Sequence, residues 1–575
     1  MTSRGLWLSL AGICLLGGML RVLYLNERRA EPDFDQPQLD ALYHDYWARA
    51  MVTHDWSPPA DVNDPEIRTR PYVRTPLYPF FLAGCYKVFG MDPLWPRVAQ
   101  MALGLLNVVM MFALGRRCFG DFVGVASAAA CSFYWVLIYY EGELVESVLV
   151  IFLVLAFLHA SKAWLDRPGS WWAWIVGLAL GVLALARPNA LLLAPCMLLW
   201  GWWWLRKQKR PSRGLLLGLA FVLGCAMAVA PVTARNYLAS GEFVLITSGG
   251  GLNLYIGNNE SSDGYSGVLP GAGGWTSFDH PALVRQLSAE MGRNLNYSQA
   301  AREWGRRGWS YIRRNPGRVM RLAWRKALLF WGPQEVSVEK EDELVRSNSR
   351  VLHSIPGSFA AVFTLALSGL FLFVLDTRRS AQPRLTRGGP KQTAILVLCA
   401  TFALVWFLSH VPFTVTGRYR VAVLPPLFLM GAYGLVRGAE LLRARNTREA
   451  AIFLMSLFVV YLLASVDFAG YSPNEAKWHL TRGIAYGRSG DPVRAEVELS
   501  EAAKLDEFER HAGGMPPAPT QAAQIYNSLG VSLAIRGRIN EARLLFERAL
   551  EYDDGLVEAH KNLGRALSVS EEVEA

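Results

Sequence analysis

Apolar segments of about 20 residues recur through most of this chain, and they restrict its possible folds more than any other feature. About 20 apolar residues in a helix cross the bilayer core. Charged residues form only 18% of the chain, against roughly 25% in soluble domains. This predicts an all-α, polytopic membrane bundle of about 11 spans. The candidate spans are 6–25, 97–115, 122–139, 143–162, 171–187, 189–205, 214–232, 356–375, 392–410, 421–437 and 450–467.

The apolar run 76–90 is left out of this count because its roughly 15 residues suit an interfacial or re-entrant helix better than a span. With this choice, Lys and Arg concentrate in alternate short loops, which the positive-inside rule places in the cytoplasm. The N-terminus is then cytoplasmic, and 6–25, which has no small-residue cleavage site, stays as an anchor. The basic loops are 116–117, 162–167, 206–210, 378–391 and 437–448. The predicted outer segments are 26–96, 233–355 and everything after 467.

The net charge of +10 has the same origin, because Lys and Arg collect in short loops beside apolar spans. It therefore indicates orientation in the membrane rather than a nucleic-acid partner. The seven Cys form no CxxC pair, so neither a zinc site nor a disulfide framework is predicted. We see no cluster of metal-ligand residues and expect no cofactor.

The segment after residue 470 is more polar and repetitive. Gly530 and Gly564 are 34 residues apart, the tetratricopeptide period. An earlier unit around Gly483 has similar offsets, and the Gly/Pro-rich insertion 511–520 separates it from the next. The sequence thus predicts a membrane domain, 1–470, and a tetratricopeptide-repeat tail, 471–575.

The first outer segment holds the first candidate for chemistry. If a helix begins near Asp40, then Asp40, His44 and Trp47 share one face. Aromatic residues on such a helix are explained by anchoring at the membrane surface. Anchoring does not require the carboxylate, however, and a carboxylate at a dry interface can act as a general base toward a hydroxyl.

Two further outer segments carry charge at span boundaries. The segment 139–146 has three Glu, of which Glu141 and Glu143 could simply lie in solvent, whereas Glu146 is one turn deeper in the following span. In the segment 410–420, Arg418 and Arg420 flank Tyr419 and suit a phosphate at headgroup depth. Arg187, in an outer turn, has the same two interpretations, phosphate binding or snorkelling at a span end.

Several motifs in this order resemble the GT-C polytopic glycosyltransferases, and most closely family 39, with the protein mannosyltransferases and the lipid A aminoarabinose transferase. The resemblance covers roughly residues 5–440. The motifs are Asp40–Ala48, Arg74–Ala83 with Phe89-Gly90, Arg187-Pro188-Asn189, Arg235-Asn236-Tyr237, Asn253–Asn259 and Arg418-Tyr419-Arg420.

The resemblance implies transfer of a sugar, with inversion, from a polyprenyl-phosphate donor to an acceptor hydroxyl on the periplasmic face. It maps the catalytic acids to Asp40 and Glu146. Ala41 stands where many relatives have a second acid, so Asp35 or Asp45 is an alternative partner for Asp40. The expected substrate-binding residues are His44, Arg74, Tyr78, Arg187, Arg418, Tyr419 and Arg420.

The expected partners are the lipid-linked donor, membrane lipid, an acceptor protein or glycolipid, and a protein bound by the tail. The expected location is a bacterial inner membrane, with the tail in the periplasm. Two other classes remain: a membrane scaffold that recruits partners through the tail, and a transporter of lipid-linked sugar. The scaffold hypothesis does not explain why acids and Arg are present in the outer segments. A transporter predicts ionisable residues in mid-span, and the candidate spans have few.

Overall fold

The computed structural model describes residues 2–59, 62–270, 275–337, 340–379, 389–511 and 519–574. Within these ranges the chain is helical and contains no β-strand. Eight helices are long and apolar enough to cross a membrane, or nine if one bent pair is a single span. The all-α polytopic fold is thus confirmed. The eight are Ser3–Arg29, Leu94–Phe119, Ser147–Asp166, Pro211–Ser240, Arg350–Asp376, Pro390–His410, Gly417–Arg443 and Thr447–Ser465.

Three predicted spans are shorter or bent, so fewer than eleven helices have membrane length in the described chain. The span 122–139 is a pair, Asp121–Ser132 and Trp135–Glu141, bent by 54°. The next two are Ser170–Ala186, with 17 residues, and Leu193–Lys207, with 15. They are separated by the 3₁₀ turn Pro188–Leu192.

Proline explains the break between the two short helices. Pro188 disfavours the helical region for the residue before it, and Arg187 is extended, with φ −145° and ψ 98°. The excluded run 76–90 forms the helix Leu77–Phe89, whose 13 residues are too few for a span.

Glycine sets the packing of the short helix Ser170–Ala186 on its neighbour Gly214–Ser240. A Cβ at Gly177 would collide with the backbone of Phe221, and one at Gly224 would collide with the backbone of Trp174. Small residues of this kind let two membrane helices approach closely, which gives dispersion contacts where no water is available to drive burial.

The loops of the bundle gather at two ends. At one end, Asp166 forms ion pairs with Arg117, Lys162 and Lys391, at 2.8, 2.6 and 3.4 Å. These residues come from loops and helix ends predicted to be cytoplasmic. Part of the predicted loop 378–391, residues 380–388, lies outside the described residues.

The other end carries the segments predicted to be outside. Its helices are shorter and lie between the spans in the chain. They are Leu39–Thr53, Gly250–Gly257, His280–Glu290, Tyr297–Arg314, Pro316–Trp331 and Asp342–Asn348.

The tail, residues 471–575, is a series of helices in which each packs on the next. Gly483 lies against Leu499, and Gly530 lies against Phe546, with no room for a Cβ at either position. The repeated Gly therefore marks close helix contacts. Most of the insertion 511–520 lies outside the described residues, and the tetratricopeptide assignment stays a prediction. The helices are Glu475–Arg488, Pro492–His511, Pro519–Ile535, Ile539–Tyr552 and Val557–Glu574.

Candidate active site

Asp40 lies in the first turn of the helix Leu39–Thr53 and is 8% exposed. Its Oδ1 accepts a hydrogen bond from Arg74 Nη2 at 2.6 Å, and its Oδ2 accepts one from Arg418 Nη2 at 2.9 Å. A buried carboxylate needs such charged partners to offset its loss of hydration. The structure therefore brings together three predicted site residues from distant parts of the chain.

Glu146 forms the second charged contact. It precedes the helix Ser147–Asp166, is 5% exposed and is ion-paired with Arg187. Burial alone would raise the pKa of Glu146, but the charges of Arg187 and Arg418 outweigh burial and lower that pKa to about 2. The guanidinium of Arg187 also lies over the ring of Tyr419, 4.6 Å from its centroid. Glu146, Arg187 and Tyr419 thus form one group.

His44 and Tyr78 are two further predicted site residues, and they contact each other. The two rings are 5.1 Å apart, and His44 Nδ1 lies 3.4 Å from the carbonyl oxygen of Leu144. Tyr78 Oη donates to Gln100 Oε1 at 2.5 Å. Burial is the main cause that lowers the pKa of His44, so a neutral imidazole is favoured near pH 7.

Arg420 does not contact Asp40, although the tripeptide Arg418-Tyr419-Arg420 suggests that both Arg act together. Arg420 is 2% exposed, is ion-paired with Glu335 at 2.6 Å, and donates to the carbonyl oxygen of Gly332 at 2.9 Å. Side chains two positions apart on a helix point in directions that differ by about 200°, so Arg418 and Arg420 cannot both face Asp40. The contacts of Arg420 therefore connect the outer segment that contains Glu335 to the span Gly417–Arg443.

The alternative acids near Asp40 have other surroundings. Asp35 is exposed. Asp45 is buried, pairs with Arg49 at 2.7 Å and accepts a hydrogen bond from Tyr86. Neither acid shares the contacts of Asp40.

Glu141 and Glu143 are not in solvent, contrary to one of the interpretations from the sequence. Glu141 pairs with Arg21 at 2.6 Å, and Glu143 pairs with Arg28 at 3.0 Å. All four side chains are nearly fully buried. These acids therefore join the first span to the segment 139–146, and they leave Glu146 as the acid of this segment beside Arg187.

A cavity of ≈ 50 Å³ lies next to Arg418. Several residues that line it were not predicted from the sequence, above all Asp342, whose carboxylate oxygens accept hydrogen bonds from Tyr139 and Tyr140, each at 2.8 Å. Asp342 lies in a charged stretch that is typical of a solvated loop. The nearest indication of this site in the sequence was the pair Tyr139-Tyr140, which lies far from Asp342 along the chain. The lining includes Gln38, Tyr139, Tyr140, Lys340, Asp342, Thr416, Arg418 and Thr481. In the described ranges, no group of three or more His, Cys, Asp or Glu is arranged to hold a metal ion.

Comparison with known proteins gives one family match. Residues 73–233 match the family model described as dolichyl-phosphate-mannose-protein mannosyltransferase. This segment contains Arg74, Tyr78, Glu146 and Arg187. No curated protein matches the chain.

Solved structures with similarity are distant. The protein O-mannosyltransferase Pmt1-Pmt2 of S. cerevisiae, bound to the sugar donor, has 15% identity and a TM-score of 0.32, over 45% of this chain and 38% of its own. ArnT of Cupriavidus metallidurans, bound to undecaprenyl phosphate, has 12% identity and a TM-score of 0.40, over 98% of this chain and 76% of its own. The oligosaccharyltransferase of Archaeoglobus fulgidus has 13% identity and a TM-score of 0.36, over 84% of this chain and 57% of its own. This chain therefore spans well under two thirds of the length of the first and third of these proteins.

The apolar helices define a polytopic membrane protein. Its segment 73–233 is similar to the protein mannosyltransferase family model, and this match confirms the resemblance that the motifs predicted for that segment.

Proposed function

We propose that this protein transfers a sugar from a polyprenyl-phosphate donor to an acceptor hydroxyl at the outer face of a bacterial inner membrane, with inversion. The observation that carries the proposal is Asp40, a buried carboxylate held between Arg74 and Arg418, of which Arg418 lines a cavity. A general base and two phosphate-binding cations are the groups that such a transfer requires.

The ion pairs of Asp40 suggest an order of events. A donor phosphate competes with Asp40 for Arg74 and Arg418, because guanidinium binds phosphate as well as carboxylate. Once a guanidinium turns to the phosphate, an oxygen of Asp40 is available to the acceptor hydroxyl. The base and its leaving-group cations are then activated by the same binding step.

The transfer itself is a single displacement. The acceptor oxygen attacks the anomeric carbon while Asp40 takes the proton from the hydroxyl. The bond from that carbon to the phosphate oxygen breaks, and the phosphate leaves with the electron pair, stabilised by Arg418 and Arg74. Attack opposite the leaving group inverts the anomeric centre. We assign Glu146 to the positioning of Arg187, its ion-pair partner, near the same phosphate.

The test uses purified protein with a panel of polyprenyl-phosphate sugars and measures release of polyprenyl phosphate. We expect turnover by the wild type and a loss of roughly 10²- to 10⁴-fold in Asp40→Asn, as for removal of a general base. Asp35→Asn, the same change at an exposed position of the same loop, serves as the control and should keep full activity.

Two outcomes would count against the proposal. Full turnover by Asp40→Asn would remove Asp40 from the mechanism. A folded wild-type protein that releases polyprenyl phosphate from no donor in the panel would favour the membrane scaffold.

A further inference from the structure

The first tail helix, Glu475–Arg488, contacts the outer segments beside the candidate active site. Gln38 Nε2 donates to the backbone oxygen of Thr481 at 2.9 Å. Gln38 is 7% exposed and precedes the helix that carries Asp40 by one residue. Thr481 also lines the cavity together with Arg418 and Asp342. A residue of the tail therefore lines the same cavity as Arg418, one of the residues proposed to bind the donor.

Ion pairs hold this helix in place on both sides of Thr481. Lys477 Nζ lies 3.2 Å from Glu341 Oε1, and Arg482 is ion-paired with Glu31. Glu341 is almost fully buried in this contact, whereas Glu31 is 41% exposed. The exposed pair of Arg482 with Glu31 contributes little by itself, whereas the pair of Lys477 with Glu341 neutralises a buried carboxylate, so a change of charge at either pair weakens the docking to a different degree.

The segment that enters the tail reaches Asp342 through hydrogen bonds. Tyr471 is 6% exposed, and its hydroxyl donates to Glu341 at 3.1 Å and accepts from the backbone N–H of Ser337 at 3.0 Å. The hydroxyl of Ser337 in turn accepts from the backbone N–H of Asp342 at 2.9 Å. The tail is thus connected to the cavity wall at two separate points.

We infer that the tail supplies one wall of the transfer cavity and that its docking keeps water from the sugar donor. This inference rests on the proposed function. Glu31, Lys477 and Arg482 are positioning residues in this arrangement, since they act through the placement of the helix that carries Thr481. The repeats then belong to the enzyme's active-site structure as well as to any partner-binding surface.

The reaction that the wall suppresses is hydrolysis of the donor. In that reaction a water oxygen attacks the anomeric carbon, and Asp40 takes a proton from the water. The carbon–phosphate-oxygen bond breaks, and polyprenyl phosphate leaves with the electron pair, so that the free sugar is the second product. Exclusion of water is a recognised way to prevent such side reactions.

The test measures hydrolysis of undecaprenyl-phosphate sugar by the full-length protein with no acceptor other than water. Glu31→Arg places two positive charges together, and Lys477→Glu places two negative charges together. Glu31→Arg should raise hydrolysis roughly two- to fivefold, the range that follows from loss of one exposed ion pair. Lys477→Glu should raise it more, because Glu341 is buried and would lose its cation. Glu31→Asp keeps the charge and should stay near the wild type. Asp35→Arg makes the matching charge change at an exposed residue of the same loop and should have no effect.

Hydrogen exchange of the segments 31–39 and 475–488 gives a second measurement that does not depend on turnover. We expect faster exchange of both segments in Glu31→Arg and Lys477→Glu, and no change in Asp35→Arg. Unchanged exchange, or faster exchange with unchanged hydrolysis, overturns the inference. If the wild type shows no hydrolysis, the inference requires hydrolysis to appear in Glu31→Arg and Lys477→Glu, and its absence from both overturns the inference. The proposed function is judged separately, by release of polyprenyl phosphate in the presence of acceptors.

Discussion

Two buried carboxyl groups near the same cavity have opposite surroundings. Asp40 lies between the guanidinium groups of Arg74 and Arg418, whereas Asp342 lies between the hydroxyl groups of Tyr139 and Tyr140. Burial raises the pKa of Asp342 to about 7, and the two hydroxyl donors offset only part of that rise. The neutral hydroxyl donors satisfy the oxygens of Asp342 but supply no opposite charge, whereas the guanidinium groups beside Asp40 supply two positive charges.

The two carboxyl groups are therefore suited to different roles in one site. Asp40 is an ion-paired carboxylate whose partners are suited to phosphate. Asp342, which also has Glu335 and Glu341 as acidic neighbours, exchanges its proton near neutral pH. Pairs of titratable groups held in contrasting environments are typical of sites that move protons.

The largest expected effect comes from removing a cation beside Asp40. Arg418→Gln should lower the rate of polyprenyl-phosphate release by on the order of 10²–10³, comparable to loss of one oxyanion donor. The assay compares kcat with donor in excess. Arg68→Gln, at an exposed position of the first outer loop, is the control and should be unaffected. Near-normal kcat in Arg418→Gln would show that the cations beside Asp40 are structural only.

A smaller effect is expected at Asp342, and it concerns stability against pH. The folded pKa of about 7 lies above the reference value of 3.8, so the folded state binds the proton more tightly. Stability therefore falls as pH rises from about 4 to about 7, by at most about 4 kcal/mol. Asp342→Asn should remove this loss.

The measurement is the thermal midpoint in detergent from pH 4 to pH 8, taken as the difference between variant and wild type. Asp35→Asn, at an exposed carboxyl, should leave the pH dependence of the midpoint as it is in the wild type. A difference between Asp342→Asn and wild type that does not change with pH would mean that Asp342 is not the titrating group.

The smallest effect is expected at the tyrosines. The hydrogen bonds from Tyr139 and Tyr140 lower the pKa of Asp342, so Tyr139→Phe or Tyr140→Phe should raise it further. The pH-dependent loss of stability would then extend above pH 7, with a change of about 1 kcal/mol for one hydrogen bond. Tyr237→Phe, at an exposed position, is the control in the same pH series. A shift of the window to lower pH would contradict the comparison drawn above.

The local parts of the fold followed from the sequence because helix periodicity and apolar length are contiguous signals. The short run 76–90 was correctly excluded from the spans by its length and its Pro and Gly ends. The bend near Phe133 had no such marker, because the residues on both sides are apolar. Of the roughly 11 spans that the sequence predicted, eight are single helices of membrane length in the described residues, and this one is a bent pair.

The charged residues show the same limit. The motifs selected Asp40, Arg74 and Arg418, and the structure brings these three together. Nothing in the sequence separated Arg418 from Arg420, and the greater depth of Glu146 did not show that Glu141 and Glu143 are buried as well. In each case the choice depends on which buried partner is within reach, such as Glu335 for Arg420 and Arg21 for Glu141.

The sequence by itself determined a polytopic helical membrane protein, a charged outer segment and a repetitive tail, since each is written in contiguous residues. Only the tertiary structure decided that Asp40 meets Arg418, 378 positions away. It alone decided that Asp342 is buried and that Asp342 and Thr481 of the tail line the same cavity. The physical reason is that an ion pair, and the hydration that a carboxyl group loses on burial, depend on distances in space, which spacing along the chain does not fix.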